Sequence, residues 1–99
     1  MATAYLKKVL NFLGPDYCLR TIDWEECIYR RINASYDLEI SGAYKKNNPI
    51  SIFIWDVSNG LNSSAHIVEY RHQIKSPEEL KSVLNEIISK YLSNSQTSK

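Results

Sequence analysis

Apolar residues recur at helical spacing near both ends of the chain. Over residues 3–13 they fall on one face of a predicted helix, while lysines and an asparagine occupy the other face. Gly14-Pro15 ends this helix, because glycine suits the left-handed position after a helix and proline cannot continue it. The pattern therefore predicts an amphipathic N-terminal helix that packs against another part of the molecule.

The C-terminal helix has the strongest local signal in the chain. Ser76 is a predicted N-cap, Pro77 takes the first helical position, and Glu79 completes a capping box. The apolar stripe that follows consists of Leu80, Val83, Leu84, Ile87, Ile88, Tyr91 and Leu92. Burial of such a stripe is worth on the order of 10–20 kcal/mol before conformational entropy is subtracted, so this helix requires a packing partner.

Between the helices, apolar and polar residues alternate with the period of β-strands. The clearest strand is YDLEIS at residues 36–41, whose apolar residues face the core and whose polar residues, Asp37, Glu39 and Ser41, face water. Strands are also predicted over residues 27–32, 50–57 and 66–72, with turn-forming residues between them.

Residues 16–26 leave two alternatives open. The sequence DWEE at 23–26 fits the start of a helical turn, with an N-cap residue and a glutamate three positions later. Alternatively, residues 17–22 pair with residues 27–32 in a hairpin that turns at Ile22-Asp23, which would place Cys18 opposite Cys27. We expect both cysteines to be thiols, because disulfides are rare in a reducing cytoplasm.

The order of these elements predicts an α+β domain. Short connections make neighbouring strands antiparallel. We therefore expect a two-layer sandwich, in which an antiparallel meander sheet of three to five strands carries the N-terminal and C-terminal helices on one face, in the order α-β-β-β-β-α. A single domain is predicted over residues 1–93, followed by a disordered polar tail at 94–99.

A sheet with helices on one face leaves its other face open, and the segment ISIFIWDV at 50–57 is apolar on both faces. Ile50, Ile52 and Ile54 form a compact set that suits the covered face, which places Phe53 and Trp55 on the open face. The candidate interaction residues on that face are Tyr29, Arg31, Phe53, Trp55, Tyr70 and His72. The alternative is that aromatic pairs only stabilise the sheet, or that residues 16–26 fold over Trp55.

The composition and motifs of the sequence argue against several classes of function but do not identify one. The 99 residues carry a formal net charge of +1, which argues against a dedicated nucleic-acid binder. No metal or cofactor is predicted, because the sequence has no Cys/His cluster and no glycine-rich phosphate loop. It also shows no secretion signal and no membrane-spanning segment, so a cytoplasmic location without a membrane partner is expected.

These features favour a small, non-catalytic protein-interaction or regulatory module. It would bind a protein partner, or a second copy of itself, through the open sheet face. One alternative is a nucleic-acid-binding domain, in which sheet aromatics stack on bases and either Arg31 or the pair Lys45 and Lys46 contacts phosphates. Another is a small enzyme that uses His66 or His72, which share a predicted strand face with Tyr70.

Overall fold

The computed structural model describes residues 3–58 and 65–97, with side chains through Ser93. Within these ranges, two helices flank five strands: the helices are α1 (Ala4–Leu13) and α2 (Pro77–Thr97). The strands are β1 (Cys18–Ile22), β2 (Glu25–Arg31), β3 (Tyr36–Ser41), β4 (Ile50–Asp56) and β5 (His66–Ile74). The predicted fold class is confirmed, and β1 is the fifth strand of the expected three to five.

The strands form one antiparallel meander in the order β1-β2-β3-β4-β5, so β3 is central and β1 and β5 are the edges. The turn between β2 and β3 shows how a short connection enforces this order. The Asn33 side-chain oxygen accepts hydrogen bonds from the backbone N–H groups of Ser35 (2.8 Å) and Tyr36 (3.0 Å), which fixes the reversal. Within the described ranges, neither helix is long and apolar enough to cross a membrane.

Side-chain caps fix where both helices begin. The Thr3 hydroxyl oxygen accepts a hydrogen bond from the Leu6 N–H (3.0 Å) and donates one to the Tyr44 carbonyl (2.7 Å), which ties α1 to the β3–β4 loop. At α2, the Ser76 hydroxyl oxygen accepts from the Glu79 N–H (3.1 Å), and the Glu79 carboxylate accepts from the Lys75 N–H (3.0 Å). The Ser76 cap predicted from the sequence is therefore present, but the reciprocal bond of Glu79 goes to the residue before the N-cap and not to the Ser76 N–H of a capping box.

Both helices cover the same face of the sheet. Ile50, Ile52 and Ile54 of β4 are fully buried there. They share one core cluster with residues from both helices, Leu6, Val9 and Leu13 of α1 and Leu80, Leu84 and Ile87 of α2. Each buried isoleucine contributes on the order of 1.5–3 kcal/mol. The predicted orientation of β4 is confirmed, and it directs Phe53 and Trp55 to the opposite face.

A polar contact holds the second half of α2 against β5. The Glu69 carboxylate accepts hydrogen bonds from Lys90 Nζ (2.9 Å), the Tyr91 hydroxyl (2.8 Å) and Arg71 Nε (2.7 Å). Burial alone would raise the pKa of Glu69, but these three donors outweigh it and lower the pKa. The Tyr91 ring also meets the edge of the Tyr36 ring at 4.7 Å, so α2 is positioned over both β3 and β5.

Residues 16–26 contain the hairpin, and the predicted helical turn is wrong. Asp23 and Trp24 form a two-residue turn with φ angles of 51° and 69°, which match the twist of the flanking strands. Cys18 pairs with Tyr29, so the predicted turn at Ile22-Asp23 and the juxtaposition of Cys18 with Cys27 are also wrong. Both cysteines are free thiols, and β1 extends the edge of the sheet instead of folding over Trp55.

Strand β5 departs from regular alternation at two points, where its register with β4 shifts. The first shift makes Val68 an extra residue, so Ile67 lies opposite Trp55 and His66 lies opposite Asp56. Because successive side chains alternate, His66 lies on the helix side of the sheet, whereas Tyr70 and His72 lie on the open side. The prediction that His66 shares a face with Tyr70 and His72 is therefore wrong.

The β1–β2 turn gives the first testable prediction. Trp24 has a left-handed backbone, which costs a non-glycine residue about 1–2 kcal/mol, and its side chain is 100% exposed. We expect Trp24→Gly to raise the free energy of unfolding in urea by about 0.5–1 kcal/mol, because glycine relieves this strain but loses more entropy on folding.

Trp24→Ala is the matched control, since it removes the exposed ring and keeps the backbone strain. It should leave the free energy of unfolding unchanged within error. A loss of stability in both variants would contradict this account and show that the indole ring makes stabilising contacts.

Candidate interaction surface

The strand register places all six candidate interaction residues on the face of the sheet that neither helix covers. Tyr29 and Arg31 come from β2, Phe53 and Trp55 from β4, and Tyr70 and His72 from β5. Between them, β3 contributes Asp37, Glu39 and Ser41 to the same face. We call this surface the open face; it has a central polar column with aromatic rings on both sides.

Two aromatic side chains, one on β2 and one on β4, each donate a hydrogen bond to an acid of the central column. In both cases the acceptor is the acid diagonal to the aromatic residue and not the one directly opposite it. Tyr29 lies opposite Glu39, yet its hydroxyl donates to Asp37 Oδ2 at 2.7 Å. Trp55 lies opposite Asp37, yet its indole N–H donates to Glu39 Oε1 at 3.1 Å. These diagonal bonds orient both rings toward β3, so the rings cover part of the acid column.

Asp37 is buried on the open face, with only 4% of its surface exposed. Arg31 Nε lies 2.7 Å from Asp37 Oδ1, which compensates the buried charge, and Tyr29 donates to the other oxygen. The Arg31 N–H does not point at Oδ1, so the contact is an ion pair without a directed hydrogen bond. The prediction that Asp37 faces water is wrong, because side chains from β2 and β4 cover it.

Glu39 is half-buried in the same column. Burial raises its pKa above the ordinary value, and the hydrogen bonds from Trp55 and Cys27 only partly offset this effect. Burial, together with the nearby carboxylates of Glu25 and Glu39, also raises the pKa of the Cys27 thiol to about 12. Cys27 is therefore protonated at neutral pH and is a poor nucleophile there.

A shallow trough of about 320 Å³ opens beside this column. Its walls are formed by Arg20, Ile22, Tyr29, Asp37, Glu39, Trp55, Val57 and Ala65. The Arg20 guanidinium lies 3.8 Å from the centre of the Tyr29 ring, so one rim of the trough carries a cation stacked on an aromatic ring. This volume is at the lower end of ligand sites, which suits one or two side chains better than a cofactor.

A row of aromatic rings in contact runs from β4 to the edge of the sheet. The Phe53 and Tyr70 rings are 5.0 Å apart and tilted by 30°, and the Tyr70 and His72 rings are 5.0 Å apart and stacked nearly parallel. The structure thus divides the candidate residues into two groups: Tyr29, Arg31 and Trp55 contact the acids, whereas Phe53, Tyr70 and His72 form the aromatic row.

The largest exposed apolar side chains of the sheet lie on β5. Ile67, Val68 and Tyr70 are 45%, 42% and 50% exposed. Ile67 and Val68 were missed as candidates, because a strictly alternating pattern gives no sign of the bulge that exposes both. Trp24, at the β1–β2 turn, was also missed, because the left-handed turn that exposes it lacks the glycine that usually marks a two-residue hairpin turn in a sequence.

The described part of the chain contains no group of three or more His, Cys, Asp or Glu side chains placed to hold a metal ion. The His72 ring stacks on the Tyr70 ring on the open face, whereas His66 lies on the opposite, helix-covered face of the sheet. The two histidines of the enzyme hypothesis are therefore not brought together. What the open face offers chemically is a set of aromatic contacts, a trough for side chains, and hydrogen-bonding groups largely engaged with one another.

The raised pKa of Glu39 gives a prediction with a defined sign. A carboxyl whose folded-state pKa is raised adds stability below its ordinary value of 4.5, and this contribution is lost as pH rises through the folded-state pKa. Glu39→Gln removes the cost of ionising a half-buried group. We therefore expect this variant to have a higher free energy of unfolding than the wild type at pH 7, with the difference vanishing as pH falls below 4.5.

The measurement is urea unfolding across this pH range, with Glu86→Gln on the exposed surface of α2 as the matched control. The control should show no such change in the difference with pH. A Glu39→Gln variant that is less stable than the wild type at pH 7 would show that ionised Glu39 stabilises the fold, contrary to this account.

Comparison of the chain with protein-family models, with curated proteins and with solved structures finds no match. No activity is therefore transferred to this chain from a relative. On the open face itself, the six candidate residues lie together, and the helices are confined to the opposite side of the sheet.

Proposed function

We propose that the protein is a small, non-catalytic interaction module that binds an extended segment of a partner protein through its open face. The observation that carries this proposal is the arrangement of the open face itself, where aromatic side chains line a trough and continue as the aromatic row to the sheet edge. Aromatic residues and arginine are the residue types enriched at the centres of protein interfaces.

The chemistry of the trough defines the segment that fits it. Ile22 and the Trp55 indole present apolar surface above the buried Val57, and Arg20 lies at the rim. An apolar side chain of the partner would fill the trough, and an aromatic side chain farther along the segment would stack on the Phe53–Tyr70 row. The carboxylates of Asp37 and Glu39 at the base of the trough already bind side chains of this chain: Tyr29, Trp55 and Arg31. Recognition of the partner segment is therefore mainly apolar.

Nucleic acid is the less favoured partner for the same surface. Glu25, Asp37 and Glu39 place three carboxylates on the open face, and the Arg31 guanidinium is paired with one of them. Lys46, which the alternative assigns to phosphates, lines a cleft beside α1 and the start of α2, on the helix side of the molecule. A phosphate backbone on the open face would therefore meet more negative than positive charge.

The test is selection of partner segments from a library of displayed, unstructured peptides on the immobilised full chain. We expect enriched peptides to be rich in apolar and aromatic residues. Their affinity should fall at least about tenfold on Trp55→Ala, because central aromatic anchors contribute most of the binding energy. Phe12→Ala is the matched control: it removes an exposed aromatic ring from α1, on the opposite side of the sheet, and should leave affinity unchanged.

Trp55→Ala also leaves Glu39 without its indole donor, so cooperative unfolding of the variant must be verified. Arg20→Ala is a second variant that alters only an exposed side chain at the trough rim, and it should weaken binding severalfold. Failure to enrich any peptide, or peptides that bind all variants equally, would contradict the proposal. Salt-dependent binding of single-stranded RNA in place of peptides would support the nucleic-acid alternative.

A further inference from the structure

The edge of β5 has features of a strand that pairs with another strand. In the described part of the chain, β5 forms a ladder only with β4, which leaves its outer backbone N–H and C=O groups without a strand partner. The other edge strand, β1, is shorter, and none of its large apolar residues is among the exposed ones. On β5, by contrast, Ile67, Val68 and Tyr70 expose apolar surface at the edge itself.

We propose that β5 pairs antiparallel with β5 of a second copy of this chain, across a two-fold axis at Tyr70, to form one continuous ten-stranded sheet. The two-fold axis stands perpendicular to the sheet, so the open faces of both copies lie on the same side. This inference goes beyond the proposed function, because it concerns the strand edge and not the trough, and it identifies the occupant of that edge.

Charge selects this register over its neighbours. A two-fold axis at Glu69 would place two carboxylates directly opposite each other, and an axis at Arg71 would do the same with two guanidinium groups. An axis at Tyr70 places Glu69 of each copy opposite Arg71 of the other, on the helix side of both sheets. Of these three registers, only the one centred on Tyr70 has complementary charges.

In the part of the chain that the structure describes, Glu69 and Arg71 each have a free hydrogen-bonding position with which to form these pairs between the two copies. Glu69 Oε1 already accepts from Lys90 and Tyr91, but among the described residues Oε2 accepts only from Arg71, so one acceptor position remains. Arg71 uses Nε for that bond, and its terminal nitrogens make no hydrogen bond within the described residues. The same guanidinium can therefore bond to Glu69 of its own chain through Nε and to Glu69 of the second copy through a terminal nitrogen.

The opposite side of the new ladder would be aromatic. Tyr70 would face Tyr70 of the second copy, and each already contacts the Phe53 ring of its own chain. The aromatic rows of the two copies would join into one band across the dimer. The register shifts near Val68 and Gln73 limit the regular ladder to about the segment 69–72, so the interface is smaller than a standard one of ~800 Å² per partner and the association is reversible.

Single-cysteine variants test the register directly, in the full chain with Cys18→Ser and with buried Cys27 retained. Directly opposite residues in an antiparallel pair have Cα atoms about 4.5–5.5 Å apart, which a disulfide spans. On mild oxidation, Tyr70→Cys should give a covalent dimer, whereas Glu69→Cys and Arg71→Cys should stay largely monomeric. Crosslinking that is greatest for Glu69→Cys or Arg71→Cys would overturn the proposed register, and absence of a crosslink in all three would overturn the dimer.

Sedimentation of the unmodified protein provides the second measurement. The sedimentation coefficient should rise with concentration toward that of a dimer. Arg71→Glu should weaken association at least about tenfold, because it places like charges opposite each other twice. Lys45→Glu makes the same change of charge in the exposed β3–β4 loop and is the matched control. A protein that stays monomeric at all concentrations would contradict the proposal, whatever the peptide selection on the open face shows.

Discussion

The structure depends on the fact that two helices can cover only one face of a five-stranded sheet. Strand β4 is apolar on both faces, so its orientation decides which residues enter the core. Ile50, Ile52 and Ile54 meet α1 and α2 and are excluded from water. Phe53 and Trp55 are then directed to the open face by the alternation of the strand. The composition of the open face is therefore a direct consequence of how the core is built.

The open face is stabilised by bonds among its own side chains. Tyr29 donates diagonally to Asp37 and Trp55 donates diagonally to Glu39, so both rings lie toward the central strand. Arg31 compensates the charge of Asp37, which has almost no contact with water. This network reduces the apolar area that the face exposes at β3 and β4. The exposed apolar side chains of the sheet are instead concentrated on β5, at Ile67, Val68 and Tyr70.

The fold could be predicted from the sequence because its main signals are local. Gly14-Pro15 and the Ser76 cap mark helix ends, and the alternation of residues 36–41 marks the central strand. Three features could not be predicted in this way. The register of β1 depends on a left-handed turn at Asp23-Trp24, where the sequence lacks the usual glycine. The face of His66 depends on a bulge, and the burial of Asp37 depends on side chains from two other strands.

The candidate site was partly accessible from sequence for the same reason. Alternation identified the open-face positions of Phe53 and Trp55, once the triple-isoleucine face was assigned to the core. The faces of the other candidates depended on strand registers that the sequence did not fix: Tyr29, Arg31, Tyr70 and His72. Alternation could not show that Trp55 bonds to Glu39, or that the aromatic row extends to an edge strand with complementary charges. Such relations are set by register between strands, which a single sequence specifies only weakly.

The division of the sheet into one covered face and one open face can be tested by proton relaxation in the presence of a neutral, soluble paramagnetic chelate, measured on the dilute protein. We expect strong relaxation of the Phe53 and Tyr70 ring protons and almost none of the Ile52 and Ile54 methyl protons. Equal protection of the two sets would contradict this division, because it would mean that another part of the chain covers the open face.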